Sequence, residues 1–454
     1  MFDVINPATG VRIQSLDQDD PAAIAAKVGA ARAAQPAWWA LGLQARSTAI
    51  GRFRGLVVEH REDLARILSG EVGKPITQSR NELDGVLRRI DFFLEAAPAV
   101  LATETVHREA GLEERVSREP LGVVANISAW NYPYFVGSNV FVPALLAGNS
   151  VLYKPSEFSS LTGLAVARLL HEAGVPRDVF IPVLGLGDAG AVLLEHALDG
   201  VFFTGSYATG LKVAAAANRS LAKLQLELGG KDPVYVRPDV DVKAAAAGLA
   251  DGAFYNTGQS CCSVERLYVH ADIFDAFVDA FVAEVRGFRL GPPRDEATYL
   301  GAITRPAQLL VLEAQVGDAL AKGARLLCGG KRLPEPGNWF EATVLVDVDH
   351  SMQVMREETF GPLIGIQKVG GDEEALALMN DTEYGLTAGV YSRDAAVAEG
   401  LLARVNAGSA YFNCCDRVSP RLPWSGRGHS GLGTVLSKEG ILAFTRPKAW
   451  HWRP

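Results

Sequence analysis

From residue 122 onward the chain alternates between short β-rich runs and helical segments. The runs are 122-GVVANISA-129, 149-NSVLYKP-155, 179-VFIPVLG-185, 200-GVFFTGS-206 and 223-KLQLELGG-230. Between several of them lie helical stretches, notably 160-SLTGLAVARLLHEAG-174 and 206-SYATGLKVAAAANRS-220. Strands joined by helical crossovers build a parallel sheet covered on both faces. Such sheets take ligands at the carboxyl ends of their strands. A second α/β block follows. Val234–Val236 reads as a strand, 241–257 as a helix and 264-VERLYVH-270 as a strand. In 272–288, apolar residues recur at Ile273, Phe274, Phe277, Val278, Phe281, Val282 and Val285, which is helical spacing. The first third reads as helices. Asp20 before Pro21 is an N-cap followed by proline at the first helical position, and helical periodicity runs through 45–68.

A length of 454 residues implies two or three domains. With 48% hydrophobic and 21% charged residues, the composition is that of a globular protein. A net charge of −8 gives no electrostatic reason for a nucleic acid or an anionic membrane as partner. The most apolar window, 140–153, is too short to span a bilayer and is broken by Pro143 and Gly148. MFDVINPATG lacks the features of a signal peptide, so the expected location is the cytoplasm. The five cysteines include two adjacent pairs and no C-x-x-C, which is not a disulfide framework. The eight histidines show no H-E-x-x-H, and no metal site is expected.

Five stretches carry residues suited to chemistry. In 258-GQSCCSVERLYV-269 two cysteines follow a glycine in a turn before a strand; they are either buried thiols or include a nucleophile. In 226-LELGGK-231, Glu227 interrupts an apolar strand, as a salt-bridged carboxylate or as a base with a raised pKa. In 128-SAWNYPYF-135, Asn131 is either a turn residue or an amide aimed at a developing oxyanion. In 150-SVLYKPSE-157, Lys154 and Glu157 are a surface pair or a clasp for a ribose. The run 185-GLGDAG-190 fits G-x-G-x-x-G, but the acidic residue expected some twenty positions later is absent.

Together these fragments resemble the NAD(P)-dependent aldehyde dehydrogenase superfamily over nearly the whole chain. The matching stretches are INPATG (5–10), REPLGVV (118–124), AWNYP (129–133), KPSE (154–157), FTGS (203–206), LELGGKDP (226–233), NTGQSC (256–261), REETFGP (356–362) and PWSGRGHSGLG (423–433). The resemblance implies two Rossmann-like parallel-sheet domains and a small β oligomerisation element. The cofactor-binding domain would comprise 1–103 and 121–229, the catalytic domain 230–443, and the oligomerisation strands 104–120 and 444–454. It implies Cys261 as nucleophile, Glu227 as general base and Asn131, with the Cys261 amide, as oxyanion donor. Lys154, Glu157, Gly205, Ser206, Trp130, Gly187, Glu358 and Phe360 would hold the cofactor, without the standard use of the glycine motif.

The implied reaction oxidises an aldehyde to a carboxylic acid through a thiohemiacetal, hydride transfer to NAD(P)+ and thioester hydrolysis. Glu227 argues for water rather than coenzyme A as acyl acceptor, and Glu157 favours NAD, with NADP possible. A coenzyme A-acylating enzyme and a cofactor-free cysteine hydrolase are the alternatives. Tyr132, Phe135, Val136, Tyr255, Cys262, Val418 and Trp424 would line the substrate tunnel, suiting an apolar, aryl or amino-substituted aldehyde. A homodimer or homotetramer is expected. Two residues depart from the family pattern: Gly428 stands where lysine is common, and Arg446 where many members carry glutamate. Both are expected near the substrate entrance or its supports.

Overall fold

The computed structural model describes residues 1–453. Asp20 caps the first helix, Pro21–Ala40, by accepting from the Ala23 amide at 2.7 Å. The helical run expected over 45–68 belongs to two helices, Gly42–Glu59 and Arg61–Val72, which meet at His60. Neither proline nor glycine marks that break, so the pattern hides it. The long helix Ile76–Val100 buries Leu83, Val86, Ile90, Phe93 and Ala97, spaced three and four apart on one stripe. That stripe helps form the first unit's core with Phe53, Phe141 and Phe180.

The first sheet has six strands, in the order Gly431–Leu432, Lys223–Glu227, Gly200–Thr204, Val123–Ile127, Ser150–Lys154, Phe180–Pro182. All of its pairings are parallel except the edge pair of Gly431–Leu432 with Glu227 and Leu226. The register sets Ile127 beside Lys154 and Phe203, and Thr204 beside Glu227. The carboxyl ends of these strands therefore deliver Lys154, Gly205 and Glu227 to one edge of the sheet.

The second sheet has seven strands, in the order Arg325–Cys328, Thr343–Val346, Leu363–Val369, Val264–His270, Asp232–Val236, Thr387–Tyr391, Ser409–Phe412. Its central strands bury both faces. Val234 and Val236 pack with Phe277 and Phe281 on one side, while Tyr235 packs with Leu312 and Met355 on the other. A third, antiparallel sheet joins Thr445–Trp452, Leu112–Pro120 and Glu104–Glu109.

The chain crosses back between units near its end. Gly431–Leu432 edges the first sheet, and Trp424, Val435, Leu436, Ile441 and Phe444 join the first core. Gly428 has φ +56°, and a Cβ there would stand 2.4 Å from the Glu383 carbonyl oxygen, so the backbone itself demands glycine. Arg446 pairs instead with Asp199 at 3.5 Å, on the connection into the Gly200–Thr204 strand. It lies on the three-stranded sheet and is not among the residues lining the cavities described below.

Candidate active site

The helix Val242–Phe254 ends in an unusual turn. Asn256, Thr257 and Gly258 have φ of 55°, 58° and 70° in succession. A β-branched residue in the left-handed region is strained by roughly 1–3 kcal/mol, so the surroundings must hold it there. They do so with a closed set of bonds. The Asn256 amide donates to Gln78 Oε1 at 2.9 Å, and Asn256 Nδ2 donates to the carbonyls of Asn131 and Gln259 at 3.1 and 3.0 Å. Gln259 Nε2 returns a bond to the Asn256 carbonyl at 3.2 Å, and Gln259 Oε1 accepts from the Thr304 amide at 3.0 Å. At Gly258 a Cβ would lie 2.1 Å from the Gly361 carbonyl oxygen. The turn projects Cys261 just before the buried strand Val264–His270.

Cys261 borders a chamber of about 250 Å³ together with Asn131, Glu227, Glu358 and Phe360. Cys262 is buried and donates to Asp416 Oδ1 at 2.9 Å. Its hydrogen bond with Cys261, its burial and the Asp416 charge push the Cys262 thiol well above its ordinary range. Asp416 is itself raised to about 6, chiefly by desolvation. Only the first of the two adjacent sulfurs faces the chamber.

Asn131 is buried, and its Nδ2 donates to the Gln259 carbonyl at 3.2 Å, leaving one N–H of the amide uncommitted. Glu227 ends its strand with Oε1 accepting from Gln225 Nε2 at 3.2 Å. Desolvation pushes its carboxyl up to about 8, against the opposing pull of the Arg89 cation. Arg89 is buried, bonded to Asn139 Oδ1 at 3.0 Å and to the Gly85 carbonyl at 3.3 Å, with its guanidinium 3.8 Å from the Phe135 ring centre.

A larger cleft of about 590 Å³ adjoins the chamber and shares with it Ala129, Trp130, Thr204, Gly205, Ser206 and Arg305. Its far end holds Lys154, Glu157 and Gly187. Lys154 is buried, yet its ammonium finds only the Pro155 carbonyl at 3.3 Å, and burial lowers its pKa. The cleft wall thus sets a buried ammonium, without a carboxylate in contact, close to the Glu157 carboxylate. Gly187 faces open space, with nothing within 4 Å of where a Cβ would stand. Ser206 caps the helix Tyr207–Ala217 through the Thr209 amide, so that helix's free N–H groups open on the cleft. In the chamber, Glu358 accepts from the Gly230 amide at 3.0 Å, and its carboxyl is raised to about 8 by burial first. Gly229 permits this approach, since a Cβ there would fall 2.4 Å from the carboxylate. Phe360, at φ +47°, meets Trp130 edge to face at 5.5 Å.

Of the seven residues expected on the substrate side, Tyr132 and Val136 line the chamber. Phe135 stacks on Tyr132 at 5.7 Å, and Tyr255 accepts from Asn81 at 3.1 Å. Cys262 and Trp424 are buried in the first core, with Val418 packed against it. Lys74 and Glu82 form a fully buried ion pair, and Glu82 also accepts from the Tyr134 amide at 2.9 Å.

Several contributors escape a reading of the sequence. Asn256 and Gln259 lie inside NTGQSC, so their place in the cysteine turn had a local signal. Gln78, Arg89, Arg305 and Gln308 arrive from distant segments that bear no motif.

The chain matches the model of the aldehyde dehydrogenase family over residues 1–450. It is 34% identical over 448 residues to the succinate-semialdehyde dehydrogenase (NADP(+)) of Deinococcus radiodurans, covering 98% of this chain and 94% of that one. It is likewise 34% identical over 448 residues to the betaine aldehyde dehydrogenase of Cereibacter sphaeroides, covering 98% and 92%. The crystal structure of an NAD-dependent aldehyde dehydrogenase from Sinorhizobium meliloti superposes with a TM-score of 0.96 at 36% identity, covering 99% of this chain and 91% of that one. With a cysteine and a glutamate facing one chamber, and a match that runs through both sheets and the cleft between them, the chain belongs to the aldehyde dehydrogenase family.

Proposed function

We propose that the protein oxidises an aldehyde to its carboxylic acid with NAD(P)+, using Cys261 as nucleophile, Glu227 as base and Asn131 as oxyanion donor. The observation that carries this reading is the shared chamber of Cys261, Glu227 and Asn131, adjoined by a cleft of about 590 Å³. A cysteine must lose its proton before it attacks a carbonyl. Glu227, with a carboxyl near 8, is tuned to take a proton near neutral pH. As the thiohemiacetal forms, the free N–H of Asn131 and the Cys261 amide hold its oxyanion; one such donor is worth about 3–4 kcal/mol. When bound, the nicotinamide cofactor serves as hydride acceptor. Glu227 then draws a proton from water, which hydrolyses the thioester. Lys154 and Glu157 would clasp a ribose, Gly205 and Ser206 would lie by the diphosphate, and Glu358 and Phe360 would position the nicotinamide ribose, with Trp130 and Gly187 as further walls.

Water rather than coenzyme A is the acyl acceptor in this reading, because Glu227 faces the chamber beside Cys261 as a base able to draw a proton from water. Glu157 favours NAD through repulsion of a 2′-phosphate, while Lys154 leaves NADP usable. The substrate side combines the stacked rings of Tyr132 and Phe135 with the half-buried Asp416, which suits an apolar, aryl or amino-substituted aldehyde. Residues 1–103 with 121–229 would bind the cofactor, 230–443 would supply the catalytic cysteine, and 104–120 with 444–454 would pair subunits of a homodimer or homotetramer. No helix among the described residues is long and apolar enough to cross a membrane, and the proposed location is the cytoplasm.

The test is an aldehyde panel with NAD and with NADP, following cofactor reduction. Turnover with at least one aldehyde and release of free acid is expected. A folded protein that reduces neither cofactor overturns the reading. Ester hydrolysis indifferent to cofactor, without aldehyde oxidation, would install the hydrolase instead.

A further inference from the structure

The cleft and the chamber meet at a wall of six residues, and one of them is a cation, Arg305. Among the described residues its side chain has no ion-pair or hydrogen-bond partner, although it is partly buried. Lys212 and Arg219 also line the outer cleft, but they do not reach the chamber. Arg305 comes from the far side of the opening. It immediately precedes the helix Pro306–Ala321, which packs in the second unit's core, whereas Gly205 and Ser206 belong to the first sheet's edge. Its backbone is anchored: the adjacent Thr304 amide donates to Gln259 Oε1 at 3.0 Å, and Thr304 Oγ1 donates to the Val72 carbonyl at 2.6 Å. Gln259 is two residues from Cys261.

A ligand that reaches from Lys154 and Glu157 to Cys261 must pass this wall. In a dinucleotide whose adenosine ribose lies at the first end and whose nicotinamide lies at the second, the segment crossing the middle is the diphosphate. On one side it would meet the N–H groups at the start of the Tyr207–Ala217 helix. Those amides favour an anion but do not neutralise two negative charges.

We propose that Arg305 is the counter-ion of the cofactor's diphosphate, closing on it from the second unit and fixing the nicotinamide end relative to the cysteine turn through Thr304 and Gln259. The planar guanidinium suits bidentate bonding to phosphate oxygens, which a lysine reproduces only as a point charge. This rests on the cofactor reading above.

The test is binding without turnover. Calorimetric titration of the full chain with NAD and with ADP, and titration with adenosine by competition against NADH fluorescence, are compared for the wild type, Arg305→Gln and Arg305→Lys. Arg305→Gln is expected to weaken NAD and ADP by about ten- to a hundredfold. Adenosine binding should stay within about twofold, and the dependence of NAD affinity on salt should flatten. Arg305→Lys should recover part of the loss. In turnover, the KM for NAD should rise with a smaller change in kcat. Unchanged NAD affinity in Arg305→Gln, or an equal loss for adenosine, would overturn the assignment. A wild type that binds neither NAD nor NADP would overturn the cofactor reading itself, a result distinct from either of those.

Discussion

The ammonium of Lys74 sits 3.7 Å from the centre of the Tyr132 ring, and Tyr132 stacks in turn on Phe135, whose ring carries the Arg89 guanidinium at 3.8 Å. Two cations thus flank a pair of stacked aromatic rings, and one of those rings lines the reactive chamber. Lys74 is also the partner of Glu82, with neither side chain exposed. Removing one member of a buried pair strands the other, at a cost of about 3–5 kcal/mol. Lys74→Met should therefore lower the thermal midpoint sharply, and the double variant Lys74→Met/Glu82→Gln should recover part of it. Thermal melts followed by circular dichroism decide this; a single variant as stable as the wild type would contradict the burial.

The two adjacent cysteines should differ completely. Cys261→Ala is expected to lose aldehyde oxidation by at least about a thousandfold. Cys262→Ala should keep most of it, because that thiol is committed to Asp416. Steady-state rates on the purified variants measure both.

Glu227 predicts a pH profile. Its carboxyl is raised to about 8, and a base works only when ionised, so thioester hydrolysis should climb with pH through that value and then level off. Glu227→Gln should remove this limb and let acyl-enzyme accumulate, visible as a mass increase on the intact protein. The Arg89 cation pulls the carboxyl down, so Arg89→Met should shift the limb to higher pH and slow hydrolysis severalfold at pH 7. A limb that stays in place would remove Arg89 from this role.

Asn131→Ala should lower the rate of acyl-enzyme formation by about a hundredfold to a thousandfold. Burst-phase kinetics separate this step from hydrolysis. The loss should fall on the burst rate rather than on substrate affinity.

Restoring the commoner lysine at position 428 should harm the protein. Gly428→Lys forces a side chain onto a backbone at φ +56° and against the Glu383 carbonyl, at about 1–3 kcal/mol. Chemical denaturation should show a lower midpoint.

Much of the fold could be read from the sequence because its elements announce themselves locally. The strand runs near 123, 150, 200, 223, 234 and 264 occur where expected, each bounded by a turn or a helix. The Asp20 cap formed as its residue types dictate. The break at His60 was invisible, since nothing in its side chain forbids a continuous helix. Among the site residues, the cysteine turn and the ends of the first sheet's strands were legible because short motifs carry them. Arg89, Gln78 and Arg305 were not. Each acts across a gap in sequence that only tertiary packing closes, and an isolated arginine on a helical segment looks the same whether it faces solvent or a buried carboxyl. The surroundings of Arg446 were hidden for a similar reason: its strand pairs with Leu112–Pro120, and its guanidinium meets Asp199, both far away in sequence.

The return of Gly431–Leu432 to the edge of the first sheet has a practical outcome. Those two residues pair beside Glu227 itself, so the strand carrying the base depends on chain far downstream of it in sequence. The two halves are consequently not modular. A fragment ending at residue 430 would leave the Glu227 strand as a bare margin, and should be inactive although every reactive group is still present.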